Sequence, residues 1–291
     1  MRSPLLLVLA ALAACGGGAP PSATPVDETL QRETQAGRLA YELERSDEAV
    51  ARYRAALTRA QERDDLGAIG DLGYNLSVAE LRDNHPDRAL ADARQTRAEL
   101  ERRGAKPSPA LLLAEATALY RLGAAADAEG IAARVAGDSD RDAAARATFL
   151  RGLIADEHGN AQGLAAALAA LGAPATPSLQ ADAAELSARL ALRRNDLTSA
   201  REEATRAAAL RRDSLDYRGM ARTLALAGEA ARLSGDNAGA ADLFLRAGRS
   251  ALAQGDKPSA RTWLQQSTAL APKSIVAAAA SDLLHQLDSG E

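Results

Sequence analysis

Bulky rings are scarce in this chain. Only 3% of its 291 residues are Phe, Trp or Tyr, although 47% are apolar and alanine dominates. That shortage argues against a sheet-packed core and favours small side chains at close helix–helix contacts. Lysine is nearly missing too, with Lys106, Lys257 and Lys273 alone, so arginine supplies almost all the positive charge. The net charge is −4, the two signs are interspersed, and no basic patch carries interleaved aromatics. Nucleic acid is therefore not an expected partner. The three histidines, His85, His158 and His285, are scattered, and there is one cysteine. No pair has metal-ligand spacing, no G-x-S-x-G elbow occurs and no Gly-rich loop joins a strand to a helix. Carboxylate pairs such as Glu202-Glu203 and Asp64-Asp65 read as solvated faces and helix-end charges. The expectation is no catalytic residue, no metal, no cofactor and no enzyme.

What is present begins at the N-terminus. A basic start, Met1-Arg2, precedes the apolar run from Leu5 to Leu12, which is too short for a bilayer span of ~20 residues and reads as a signal segment. It ends in Leu12-Ala13-Ala14-Cys15, which resembles the lipobox of bacterial lipoproteins. The competing reading is an ordinary secretory signal with an incidental cysteine. The resemblance implies cleavage after residue 14 and acylation of Cys15. The residue that follows is Gly16 and not aspartate, which by the same resemblance implies sorting to the outer membrane, facing the periplasm. Residues 15–26 are Gly/Pro/Ser-rich, and the ten from Gly16 to Pro25 could hold a folded body about 35 Å from the membrane.

From 27 to 288 the pattern is helical throughout and repeats itself. Turn signals recur at Ser46-Asp47, Asn84-His85-Pro86-Asp87, Gly123, Gly159-Asn160, Asn195-Asp196, Gly235-Asp236 and Gly255-Asp256. Small residues follow them at Ala49, Ala89, Ala128, Gly163, Ala200, Ala240 and Ala260. Twelve residues earlier stand Gly37, Ser77, Ala116, Arg151 (with Gly152 beside it), Ala188, Gly228 and Gly248. Ala49-Val50-Ala51-Arg52-Tyr53-Arg54-Ala55-Ala56-Leu57 resembles the second helix of the tetratricopeptide repeat, as do Ala240, Phe244 and Ala247. The large-residue position is poorly met at Ala93, Ala132, Ala167 and Ala204. The resemblance implies an all-α, right-handed solenoid of about seven helix-turn-helix hairpins. The last anchor step is only 20 residues, so one helix should serve two pairs. A capping helix is expected from Ser274 to about Asp288, carrying Val276, Leu283, Leu284 and Leu287 on one side. An alanine-rich bundle or another α-solenoid is the competing fold.

In this repeat family the first helix of each pair lines the concave face. By that resemblance a partner-binding groove would include Arg38, Tyr41, Tyr74, Asn75, Arg82, Tyr120, Arg121, Arg189 and Arg193, of the side-chain types that most often act as hot spots. The expected function is a membrane-anchored envelope scaffold for a protein or peptide partner, of the assembly-factor, pilotin or synthase-activator kind. The alternative is a non-catalytic recognition module for a cell-wall or glycan ligand.

Overall fold

A computed structural model describes residues 27–289. The expected signal segment, Cys15, Gly16 and the expected linker up to residue 26 lie outside the described residues. Fourteen helices and no strand occur among the described residues: α1 Glu28–Glu42, α2 Ser46–Glu62, α3 Leu66–Arg82, α4 Pro86–Arg102, α5 Pro109–Arg121, α6 Ala125–Ala136, α7 Arg141–Glu157, α8 Ala161–Leu171, α9 Pro177–Arg193, α10 Leu197–Asp213, α11 Tyr217–Leu233, α12 Asn237–Ala253, α13 Lys257–Leu270 and α14 Ile275–Ser289.

One turn, used ten times, explains the regular spacing. Each helix in question ends in a residue with left-handed backbone, such as Glu44, Asp64, Asn84, Gly123, Asn195 or Gly255. The next residue's N–H then returns to a carbonyl five positions back, as in Asp65 to Ala60, Asp216 to Arg211 and Asp256 to Ala251. This is the Schellman closure of orphan helix carbonyls. In several copies that next residue is also the N-cap of the following helix. Asp65, Asp196, Asp216, Asp236 and Asp256 each accept the N–H three residues on through their side chains. The Asp64-Asp65 pair is thus helix-end chemistry, as the sequence suggested. One copy is strained: Leu215 has φ 58°, where an L side chain with no local hydrogen bond costs roughly 1–2 kcal/mol. Leu215→Gly relieves that and removes an exposed leucine. After the entropy cost of glycine, it should raise the thermal midpoint by about 2–4 °C. A midpoint lower than wild type would refute the strain argument.

Consecutive helices pack on one another from α1 to α14, giving a solenoid. The anchors sit where two helices cross, and the space there is fully used. A Cβ on Gly37 would lie 2.8 Å from the Tyr53 ring, and one on Gly248 would lie 2.6 Å from Leu264 Cγ. At the fourth pair Gly152, and not Arg151, takes the role. Its Cβ would meet Leu186 Cδ1 at 2.5 Å and Ala167 Cβ at 3.2 Å, while Arg151 points to Glu129 at 2.8 Å. Here the alanine at the large-residue position leaves room that Leu186, from the next pair, fills. The second pair uses Gly73, one turn before Ser77, against Thr96. The seventh anchor pair shares α12, which packs on α11, α13 and α14 alike. Helix α14 covers the end, with Leu287 buried and Val276, Leu283 and Leu284 partly so.

Candidate functional site

The odd-numbered helices from α3 to α11 touch each other in succession, α3 on α5, α5 on α7, α7 on α9 and α9 on α11. Among the even helices such close packing occurs at α12 and α14, while α2 and α4 meet through long side chains, Arg54 on Asp92 and Gln61 on Glu99. The chain therefore curves with odd helices α3 to α11 on the inside; seven of the nine residues picked from the sequence lie on them, and Arg38 and Tyr41 lie on α1, which Arg82 joins to α3.

They do not form one continuous strip. Arg38 is exposed on α1. Tyr41 and Arg82 make a unit: the guanidinium lies 4.5 Å from the ring centroid and donates to the Tyr41 carbonyl at 3.0 Å. Tyr74 packs beside Ala93, Leu100 and Leu111, and burial pushes its hydroxyl pKa up. Asn75 is half-buried beside it on α3. Tyr120 wedges between two apolar clusters, and its hydroxyl donates to Glu157. Burial first, then Glu157, raises its pKa. Arg121 donates to the Leu81 carbonyl and to Asn84 Oδ1. Arg189 and Arg193 converge on Asp156 of α7, Arg189 at 2.8 Å.

Beneath Arg189 lies a charged core that the sequence reading did not single out. Glu185 is fully buried yet accepts from three arginines: Arg189 at 2.9 Å, Arg211 at 2.8 Å and Arg222 at 2.6 Å. Arg211 also reaches Asp182 at 2.8 Å and Asp216, and it lies 5.4 Å from the Phe149 ring centroid. Burial alone would push the Glu185 carboxyl up, but Arg222, Arg189 and Arg211 outweigh it and hold it far below the usual range. Asp182 has fewer partners, and burial raises its pKa to about 6. The signal was present: Asp182 and Glu185 sit three apart, and Glu185, Arg189 and Arg193 four apart, on an alanine-rich helix whose other inward positions are apolar. Two more carboxylates are buried singly. Glu115 on α5 is held by Arg94 and Arg97, and Glu80 on α3 by Arg54.

No cluster of three or more His, Cys, Asp or Glu side chains suited to a metal occurs among the described residues. No described helix is long and apolar enough to cross a membrane.

No protein-family model matches the chain, and no curated protein matches it. Solved structures do. A tetratricopeptide repeat protein from Parabacteroides merdae shares the fold over 88% of this chain and 98% of its own, at 15% identity and a TM-score of 0.50. PilF of Pseudomonas aeruginosa aligns over 86% of this chain and 96% of its own, at 17% identity and a TM-score of 0.39. The Cut9–Hcn1 hetero-tetramer of the APC/C aligns over 89% of this chain and 54% of its own, at 14% identity and a TM-score of 0.48. The first of these supports what the helix packing shows, a solenoid of tetratricopeptide-repeat type.

Proposed function

We propose that this chain is a lipid-anchored scaffold of the bacterial envelope, non-catalytic, which holds a protein or peptide partner against the inner face of its solenoid. The single observation that supports the reading is that Tyr74, Asn75, Arg82, Tyr120, Arg121, Arg189 and Arg193 lie on the odd helices that pack on one another from α3 to α11, with Tyr41 held beside them by Arg82. Tyr41 and Tyr74 are half-buried, and Arg38 is free to contact a partner. Arg189 and Arg193 are already engaged by Asp156, so recognition concentrates at the N-terminal hairpins. The anchor rests on Leu12-Ala13-Ala14-Cys15 and the Gly/Pro/Ser tether that follows, and Gly16 favours the outer membrane. Stable anchoring needs more than one acyl chain, a condition a triacylated cysteine meets.

Two measurements test the two halves. Cys15→Ser should take up no labelled fatty acid and should leave the membrane fraction; a variant that fractionates like wild type would sink the anchor. Partner capture from membranes, set beside binding of purified cell-wall fragments, tests the scaffold. A double change, Tyr41→Ala with Tyr74→Ala, should weaken capture about thirtyfold or more while helicity is kept, as truncated hot spots do. Unchanged capture, or selective binding of the cell-wall fragments, would overturn the protein-partner reading.

A further inference from the structure

The solenoid curves far enough to touch itself. Asn84 Nδ2, in the turn between α3 and α4, donates at 3.0 Å to the carbonyl of Gly255, in the turn between α12 and α13. These residues are 171 positions apart. Each side of this seam carries an arginine. From α5, Arg121 grips the first turn through Asn84 Oδ1 and the Leu81 carbonyl. From α11, Arg218 reaches the second turn, at 3.5 Å to the Gln254 carbonyl and 3.4 Å to Asp256.

The charges at the seam do not balance. The acceptors of Arg121 are neutral oxygens, and Arg218 bonds Asp256 only at a long distance, with the Asp216 charge acting on it from its own helix end. Arg222, the next guanidinium along α11, is taken up by Glu185. Two half-buried guanidiniums thus have one directly bonded carboxylate, Asp256, between them. The strain registers on Arg121, whose pKa burial and then the repulsion of Arg218 push down to about 10. The guanidinium fork is suited to hold oxyanions through paired N–H donors.

We propose that the seam is an oxyanion-binding site, made by Arg121 and Arg218 from opposite sides, and that its occupancy holds the solenoid closed. The ligand class is a small oxyanion, either a tetrahedral phosphate or a planar carboxylate. The coupling follows because the site is complete only when the two turns meet: an anion that bridges both arginines binds the closed form better and shifts the population toward it. The Asn84–Gly255 hydrogen bond across the seam is polar and exposed, so closure without the anion is weak. The site does not depend on what fills the groove.

The test uses the full chain in a Cys15→Ser background, which has no other cysteine. Spin labels go on Asp87→Cys and Thr262→Cys, both exposed and one on each side of the seam. Distance distributions are recorded in chloride, inorganic phosphate and acetate at matched ionic strength. Phosphate, acetate or both should raise the closed-to-open ratio about tenfold, within the usual range for ligand-coupled equilibria. Which anion acts tells the tetrahedral from the planar ligand. Arg121→Gln and, separately, Arg218→Gln should abolish the response with circular dichroism unchanged. The proposal is overturned if both anions act no differently from chloride, if either variant responds like wild type, or if no short distance is populated in any buffer.

Discussion

Glu185→Ala is expected to be the most damaging single change in the molecule, costing about 3–5 kcal/mol, because it removes one partner of a buried ionic network and strands the others. Glu185 is completely buried, and Arg211 and Arg189 keep 5% and 14% of their side-chain exposure, so neither guanidinium can simply turn to water. The network joins α7 through Asp156, α9 through Glu185, α10 through Arg211 and α11 through Arg222. In a solenoid, stability is the sum of units and of nearest-neighbour interfaces. Loss of amide protection should therefore centre on α7 to α11 and leave α1 and α2 close to wild type. Much of the cost is stranded charge, so Arg211→Met added to Glu185→Ala should recover part of it. Asp182 tolerates that second change, since its raised pKa lets it take a proton. Urea midpoints for the two singles and the double decide this. A loss below about 1 kcal/mol for Glu185→Ala would mean that the three arginines find other partners or water.

The fold was legible for a local reason. Left-handed residues and Asp or Asn caps must sit at fixed places in each turn, so Asn84, Gly123, Gly159, Asn195, Gly235 and Gly255 marked helix ends directly. The anchors were legible because a close crossing admits only small side chains. That logic reached as far as Gly152, where Ala167 broke the aromatic rule, but it could not show that Leu186 from the next pair fills the gap. Inter-repeat packing depends on a residue some 20 positions beyond the motif. The nine candidate residues fall on odd-numbered helices because helix identity follows from the anchors. Their partners were not legible. Whether Arg189 meets a ligand or Asp156 is set by curvature, which brings 33 residues of separation to 2.8 Å. Asn84 on Gly255 is the extreme of the same effect.

Glu80 leads to a second large and opposite result: the chain should lose stability as pH rises from about 5 to about 8.5. This carboxyl on α3 keeps 1% of its side-chain exposure, and no N–H donates to its Oε2. It is faced by Arg54 from α2 and by Asp92 and Arg88 from α4. Burial, and then the charge and hydrogen bond of Asp92, push its pKa from 4.5 up to about 8, against the pull of Arg54 and Arg88. The group's folded pKa thus lies above its unfolded one. Between those values the folded chain keeps a proton that the unfolded chain has released, so stability is highest below the unfolded pKa and falls as pH rises through the folded one. One such proton carries about 1.4 kcal/mol per pH unit, or a few kcal/mol over the window. Asp182, raised to about 6, adds to the lower part of the same slope. Glu185 and Asp216, both lowered, contribute in the other direction, but only in more acidic solution. Glu80→Gln mimics the protonated acid: its amide N–H can donate to Asp92 while its oxygen accepts from Arg54. The variant should match wild type near pH 5 and melt several degrees higher near pH 8.5, with a flatter profile between. Melting curves at the two pH values are enough. A flat wild-type profile, or a Glu80→Gln chain that is weaker at the higher pH, would show that Glu80 is ionised and held by Arg54.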